Sequence, residues 1–276
     1  MPGEYAVHVC SGCGAGVTQP PASAEELAAA YPDTYGPHRD DGPLGGRLGR
    51  ALAAREVRVG AAGALGAGGG ARMRDAGCGD GETGGMLVAR GWRVDGLDIS
   101  ESACELARDR GVDARPGSIE TAELPAGAYG AVLFNHSLEH VVDPVGALAR
   151  AREALEPSGR VAVSAPNFGC WARRRFGGAW FHLDLPRHRI HFTAGALGAA
   201  MERAGLRAER VWTTTSPSGL AGSVQYRRLG GLAVAEGPAR RASGQLAGLA
   251  LIPVARAEQA LGGGRDFLHA VARAAP

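Results

Sequence analysis

The stretch that decides the fold spans residues 75–81 and reads Asp75-Ala76-Gly77-Cys78-Gly79-Asp80-Gly81. It lies between a predicted strand at 71–76 and a predicted helix that continues through residues 86–89. Glycines at a strand-to-helix junction let the backbone adopt positive φ and approach a ligand closely. Open α/β sheets bind ligands beyond the carboxyl ends of their strands. The stretch therefore predicts a ligand-binding loop.

On both sides of this loop, short apolar runs alternate with amphipathic segments as far as residue 165. That alternation predicts βαβ units and a parallel sheet. The predicted strands are 71–76, 92–97, 112–115, 131–134, 160–164, 206–214 and 266–274. The predicted fold class is α/β and Rossmann-like, with a seven-stranded, mostly parallel sheet and helices on both faces. One antiparallel strand is expected near its C-terminal edge.

A second carboxylate, Asp98, ends the next predicted strand, 98 − 75 = 23 residues after Asp75. A carboxylate there can accept both hydroxyls of a ribose. Gly79, Gly81 and Gly84 form a GxGxxG dinucleotide motif, but this signal is weak in a chain with 44 glycines. Asp75 at the loop entrance would repel a pyrophosphate. It would attract the ammonium and sulfonium of S-adenosylmethionine, which has no phosphate.

Four segments, in order, carry a family resemblance. Segments 75–81, 96–100, 135–144 and 155–160 resemble the motifs of class I S-adenosylmethionine-dependent methyltransferases. The likeness covers about residues 72–165. It implies the cofactor S-adenosylmethionine and methyl transfer to a small-molecule acceptor, on oxygen rather than on carbon or nitrogen. Natural-product, quinone-like and sugar acceptors all fit. An NAD(P)-dependent oxidoreductase and a catalytically silent cofactor-binding module remain the alternatives.

The resemblance also implies a role for each matching residue. The amino-acid part of the cofactor would contact Asp75 and the loop residues Gly77, Cys78, Gly79 and Gly81. Asp98 would hold the ribose, Ile99 would pack on the adenine, and Ser118 and Ile119 would edge it. Asn135 would line the cleft near the sulfonium. The chain departs from the family at Arg72 and Arg74, where apolar residues are usual, which predicts a weak or edge-exposed first strand.

Methylation of an oxygen needs a base, and histidine is the usual one. His136 follows the fourth predicted strand. His188 lies in the segment 180–192, which resembles a Trp-x-x-Leu-Asp-x-Pro-Arg-His-x-x-His-Phe pattern of a bacterial methyltransferase subgroup. In that subgroup the segment covers the active site. His136 and His188 are therefore the predicted catalytic residues. Glu139, His136 and His140 could bind a divalent ion, but no full set of metal ligands is visible, so no metal is predicted.

The N-terminal region carries Cys10-Ser11-Gly12-Cys13, which has the spacing of a zinc knuckle but supplies only two of four ligands. Some members of the subgroup begin with two CxxC pairs, so the element resembles the remnant of a zinc ribbon, and zinc binding stays open. The predicted domains are an N-terminal cap at 1–60 and a methyltransferase domain at 61–276 with an insertion at about 216–264. Residues 60–71 are nearly all Gly and Ala and predict a flexible joint or a poorly specified helix end.

The amino-acid composition limits the classes of partner and of chemistry that fit this chain. The chain has 276 residues and a formal charge of +2, too mild a balance to indicate nucleic acid or a membrane surface. All 30 basic residues are arginine, which excludes lysine Schiff-base chemistry and the lysine-dependent Walker loop. Five cysteines do not form a disulfide framework, and no segment has the length of a membrane span. A reducing, cytoplasmic location is expected. The sequence does not determine the oligomeric state.

Overall fold

The computed structural model describes residues 4–30, 51, 54–215, 217–229, 253 and 264–276. The chain divides into two compact units. The first, called here the sheet unit, comprises Val57–Ala165, Ala194–Trp212 and His269–Pro276. The second unit comprises Met1–Glu56, Pro166–Thr193 and Thr213–Leu268. The domain boundaries predicted from the sequence stay a prediction. Most of the predicted insertion, at 230–252 and 254–263, lies outside the described residues.

Seven strands form one sheet: β3 Arg72–Ala76, β4 Arg93–Asp98, β5 Asp113–Pro116, β6 Tyr129–Asn135, β7 Leu155–Pro166, β9 Leu206–Thr214 and β10 Phe267–Ala274. Their order in the sheet is β5-β4-β3-β6-β7-β10-β9. The pairs β5–β4, β4–β3, β3–β6 and β6–β7 are all parallel. Every strand predicted from the apolar runs is present, and the predicted fold class is confirmed.

The last strand, β10, runs antiparallel to β7. The Asn167 N–H donates to the Asp266 carbonyl at 2.7 Å, while Ser164 Oγ lies 2.9 Å from His269 Nδ1. One residue number falls as the other rises, which is the antiparallel register. The strand predicted to reverse direction near the C-terminal edge is therefore β10, which lies between β7 and β9.

The helices of the sheet unit are short, and two of them begin at side-chain caps. They are α2 Ala61–Ala64, α3 Glu82–Val88, α4 Glu101–Asp109, α5 Pro144–Ala154 and α7 Ala194–Arg203. Ser100 Oγ caps α4 by accepting the Ala103 N–H at 3.2 Å. Asp143 caps α5 by accepting the Gly146 N–H at 2.9 Å, with Pro144 at the first helical position. The Ser100 and Asp143 caps therefore set the residues at which α4 and α5 begin.

The prediction of a weak or edge-exposed first strand is wrong. Strand β3 lies between β4 and β6 in the middle of the sheet, and Arg74 is buried. Asp95 on β4 supplies the compensation: it lies 2.5 Å from Arg72 Nη2 and 3.8 Å from Arg74 Nη2. Both guanidinium groups also lie over the Tyr129 ring, about 5 Å from its centroid. Paired and stacked in this way, arginine is tolerated inside the sheet.

The Gly/Ala-rich segment 60–71 is not a flexible joint. Ala61 and Ala62 are fully buried in helix α2, within the main apolar cluster of the sheet unit. A Cβ on Gly63 would lie 2.2 Å from the Arg58 carbonyl oxygen, so the small residues allow close backbone packing.

The second unit contains a three-stranded sheet of order β1-β2-β8, with β1 Ala6–Val9, β2 Gly16–Gln19 and β8 Ile190–His191. Its helices are α1 Ala24–Ala30, α6 Trp171–Phe176 and α8 Pro217–Leu229. Its core cluster contains Phe168, Cys170, Trp180 and Leu220. In the described part of the chain, every helix is too short or too polar to cross a bilayer.

Candidate active site

The glycine loop after β3 requires its glycines. Gly77, Gly79 and Gly81 all have positive φ, at +84°, +53° and +79°. A Cβ on Gly81 would lie 2.6 Å from the Cα of Ala107 on α4. A Cβ on Gly79 would meet no atom within 4 Å, so this residue faces open space. The loop is held tightly on one side and is accessible at Gly79.

The amide groups of this loop are directed into the protein. The N–H groups of Gly77 and Cys78 both donate to the Leu97 carbonyl, at 2.7 and 2.9 Å. The Gly79 N–H donates to Asp98 Oδ2 at 2.9 Å, and the Gly81 N–H donates to the Cys78 carbonyl at 3.0 Å. A pyrophosphate site needs such donors to be available to the ligand. The loop does not have the character of a dinucleotide cradle.

Asp75 is the most unusual residue of the site. Its side chain is 1% exposed, and neither carboxylate oxygen has a hydrogen-bond partner among the described residues. Burial, and next the negative charge of Asp98, raise the pKa of Asp75 to about 7. A buried carboxylate without a partner is costly unless a ligand supplies the donor. The side chain fits a ligand ammonium, which offers both hydrogen bonds and positive charge.

Asp98 ends β4 beside this loop. Its two carboxylate oxygens each accept one backbone N–H, from Gly79 at 2.9 Å and from Ser100 at 3.0 Å. Each oxygen keeps a lone pair for a further donor, such as a ribose hydroxyl. In β3–β4 pairing, Asp75 lies opposite Gly96, two residues before Asp98. The two predicted carboxylates therefore lie at one end of adjacent strands.

The predicted adenine contacts follow β4 and β5. The Gly117 N–H donates to the Asp98 carbonyl at 2.8 Å, which joins the loop after β5 to the ribose position. Ile99 is 68% exposed, whereas Ile119 is buried. Ser118 Oγ accepts the Glu120 N–H at 3.2 Å. An exposed isoleucine beside Asp98 offers an apolar surface to a flat ring.

The end of β6 carries Asn135 and His136. Asn135 Nδ2 donates to Thr83 Oγ1 at 3.1 Å, which connects β6 to α3. His136 has a left-handed φ of +57°, and its N–H donates to the Ser164 carbonyl at 2.8 Å. Its Nδ1 lies 3.7 Å from Oε1 of Glu139. Parallel strands place this turn at the same end of the sheet as the glycine loop.

The other predicted base, His188, lies in the second unit and is buried there. Its Nδ1 lies 3.0 Å from the His182 carbonyl oxygen, and its Nε2 lies 3.6 Å from Asp184 Oδ2. Since a carbonyl only accepts, Nδ1 carries the proton. The catalytic role of His188 stays a prediction.

A buried pair that the sequence did not indicate lies behind the His136 turn. Ser164 on β7 and His269 on β10 contact each other at 2.9 Å, and Ser164 Oγ also accepts the Ala61 N–H at 3.3 Å. Burial, and next the charge of His136, lower the pKa of His269 to about 3. This imidazole is therefore neutral near pH 7.

The CxxC element forms the turn of the β1–β2 hairpin. Cys10 and Cys13 are both exposed, and the Gly14 N–H donates to the Cys10 carbonyl at 2.9 Å. Backbone N–H groups of Cys13 and Gly12 lower the pKa of the Cys10 thiol. The zinc-ribbon interpretation of this element stays a prediction.

Comparison with known proteins agrees with this geometry. The sequence model of a family described as "Methyltransferase domain" matches residues 51–211, which is 161 of 276 residues. The chain belongs to this methyltransferase family. The predicted enzyme class, an S-adenosylmethionine-dependent methyltransferase, is thereby confirmed over the nicotinamide alternative.

Two curated relatives are ubiquinone biosynthesis O-methyltransferases. That of Xanthomonas axonopodis pv. citri is 30% identical over 155 residues, which is 51% of this chain and 65% of the relative. That of Aromatoleum aromaticum is 35% identical over 127 residues, which is 43% of this chain and 54% of the relative. The methyltransferase thus spans less than two thirds of the length of each.

The fold is shared with solved methyltransferases. The geranyl diphosphate C-methyltransferase of Streptomyces coelicolor A3(2) superposes with a TM-score of 0.55 and 20% identity, over 83% of this chain and 80% of the other. A methyltransferase of Mesorhizobium loti superposes with a TM-score of 0.51 and 21% identity, over 84% and 99%. At these identities the likeness concerns the fold alone.

Proposed function

We propose that this methyltransferase transfers the methyl group of S-adenosylmethionine to a hydroxyl oxygen of a small molecule. The observation that carries the proposal is Asp75, a buried carboxyl group with no hydrogen-bond partner among the described residues, at the entrance of a loop whose amides donate inward. This arrangement suits a cationic nucleoside and disfavours a phosphate. No other described feature of the loop favours a cationic ligand as strongly.

Different residues of the sheet unit bind different parts of the cofactor. Asp75 accepts the ammonium, with the loop residues Gly77, Cys78, Gly79 and Gly81 around the amino-acid part. Asp98 accepts the ribose hydroxyls. Ile99, Ser118 and Ile119 flank the adenine, and Asn135 lines the cleft near the sulfonium. When bound, S-adenosylmethionine supplies an activated methyl group, and the protein aligns the acceptor and excludes water.

The acceptor class follows from the names of the curated relatives and from His136. Both relatives are named as O-methyltransferases of ubiquinone biosynthesis, which supports a phenolic, quinone-like acceptor. His136 is one-third exposed at the carboxyl end of β6, so a bound hydroxyl can reach its ring. Natural-product and sugar hydroxyls share the same chemistry and are tested beside phenols.

Calorimetry with S-adenosylmethionine and with NAD tests the cofactor. We expect binding of the first and none of the second, and Asp98→Ala weakens binding through the lost ribose contacts. Release of S-adenosylhomocysteine in the presence of catechol, simple sugars and polyketide phenols tests the transfer. Tight NAD binding, or S-adenosylmethionine binding without transfer to any hydroxyl of the panel, would contradict the proposal.

A further inference from the structure

The turn after β6 holds His136 in a conformation that few residues adopt. A non-glycine residue with φ of +57° carries a backbone cost of about 1 kcal/mol. The hydrogen bond from its N–H to the Ser164 carbonyl, at 2.8 Å, fixes this conformation. Strained residues that the surrounding structure holds in place cluster at functional sites. The conformation of this turn therefore marks His136 as a candidate functional residue.

A 3-10 turn at Leu138–His140 follows at once and determines what the imidazole faces. Leu138 is fully buried and anchors the turn. Glu139, three residues after His136, is turned inward with only 2% of its side chain exposed. Its Oε1 lies 3.7 Å from His136 Nδ1, which is within ion-pair range. The buried carboxyl group of Glu139 thus lies near one nitrogen of a ring that is one-third exposed.

Resting on the function proposed above, we propose that Glu139 is a positioning residue that acts through His136, and that the two form a base for a protic acceptor. A carboxylate beside Nδ1 favours the tautomer with hydrogen on Nδ1. The lone pair of His136 is then on Nε2, facing the acceptor. The carboxylate also stabilises the imidazolium that forms when Nε2 takes a proton.

The reaction balances without another reactant. As the acceptor oxygen gains its bond to the methyl carbon, the bond from that carbon to sulfur breaks and its electron pair remains on sulfur. The hydroxyl proton passes to Nε2 of His136, and the imidazolium later returns it to water. The products are a methyl ether, S-adenosylhomocysteine and one released proton. An acceptor that has no proton to lose would gain nothing from this pair.

The surroundings of His136 are compatible with a charged ring. His136 and His269 act on each other electrostatically, and burial, followed by the charge of His136, lowers the pKa of His269 to about 3. A neutral His269 does not repel an imidazolium at His136. Ser164 Oγ accepts the Ala61 N–H and shares a hydrogen bond with His269 Nδ1 at 2.9 Å. Among the described residues, Glu139 is an acidic group that lies within ion-pair range of the ring, at 3.7 Å.

The first test reads the tautomer directly and needs no acceptor. In the full chain labelled with ¹⁵N-histidine, the His136 signal is assigned by its loss in His136→Asn, since asparagine tolerates the left-handed conformation. We expect Nδ1 protonated in the wild type. Glu139→Met, which keeps the volume but removes the acceptor, should shift the ring toward the Nε2–H form. A wild-type Nε2–H tautomer, or one that Glu139→Met does not change, would overturn the proposal.

The second test is a double-mutant cycle with catechol as the acceptor. Glu139→Gln should lower kcat ~10-fold and Glu139→Met ~100-fold, with the dissociation constant of S-adenosylmethionine unchanged. In the His136→Asn background both losses should disappear. The exposed Glu153→Gln is the matched control and should leave kcat unchanged. Equal losses with and without His136 would show that Glu139 acts elsewhere.

The two proposals fail separately. Should the wild type bind S-adenosylmethionine and methylate no hydroxyl, the proposed function fails, while the tautomer measurement still reports on the pair. Should methylation occur with kcat unaffected by Glu139→Gln and Glu139→Met, the pair fails and the function stands.

Discussion

Replacing Asp75 by asparagine should weaken the cofactor complex and stabilise the ligand-free protein. Its folded-state pKa of about 7 lies above the ordinary value of 3.8, so the folded chain binds more protons between these values. Stability is therefore highest below 3.8 and is lost as the pH rises through 7. The difference corresponds to on the order of 4 kcal/mol. Asparagine removes this titration at nearly the same volume.

The measurement is urea unfolding of ligand-free wild type and Asp75→Asn at pH 4 and pH 8. The cost of burying an unpaired amide is the same at both values, so it cancels in the difference between them. The gain of the variant should be larger at pH 8 by on the order of 4 kcal/mol. Calorimetry at pH 8 should show S-adenosylmethionine bound ~10- to 100-fold more weakly, because a hydrogen bond to a charged group is lost.

Asp95→Asn is the matched control on the adjacent strand. Asp95 is paired with Arg72 and Arg74, so its loss should destabilise the protein by ~1–3 kcal/mol and leave cofactor affinity unchanged. The assignment of Asp75 to the ammonium would be refuted if Asp75→Asn bound S-adenosylmethionine as tightly as the wild type. Equal effects of Asp75→Asn on stability at pH 4 and pH 8 would refute the raised pKa of the buried Asp75 carboxyl group.

Three further changes follow from the same contacts. Gly81→Ala should lower the free energy of unfolding by about 2–4 kcal/mol in urea titrations, because a Cβ meets Ala107 at 2.6 Å and φ is +79°; an unchanged midpoint would contradict the packing. Ser100→Ala should cost ~1 kcal/mol through the lost cap of α4, whereas Ser100→Asp should not. His269→Gln should reduce the loss of folding stability at acid pH. The wild type loses up to ~1.4 kcal/mol of stability per pH unit as the pH falls from 6.5 toward 3, because the unfolded chain takes up the proton first.

The parallel part of the fold could be predicted because its signals are local. Apolar runs such as Ala131–Phe134 identify buried strands, and the carboxyl ends of parallel strands share one edge. Asp75, Asp98 and His136 could therefore be assigned to one edge of the sheet from the sequence alone. Their spacing depends only on the length of each βα unit, which the sequence shows directly.

Features that depend on tertiary partners could not be predicted. Arg72 and Arg74 suggested an edge strand because their partners are not visible in the local sequence. Asp95 and Tyr129 contact these two arginines only when β4 and β6 lie on either side of β3. The contact between Ser164 and His269 joins residues 105 positions apart, through a strand whose register no local pattern specifies. That Asp75 has no hydrogen-bond partner in the described part of the chain is likewise a property of the packed site and not of the motif.

Two strongly perturbed groups of the sheet unit, Asp75 and His269, oppose each other in the pH dependence of stability. Asp75 favours proton uptake by the folded chain between pH 3.8 and about 7, whereas His269 favours uptake by the unfolded chain between about 3 and 6.5. Over their shared range the two slopes have opposite sign and similar size. A wild-type stability that does not change with pH would therefore be the sum of two opposing contributions. It would not show that either contribution is absent. Asp75→Asn should expose the slope of His269, and saturating S-adenosylmethionine should do the same, because an ammonium beside Asp75 keeps the carboxylate ionised.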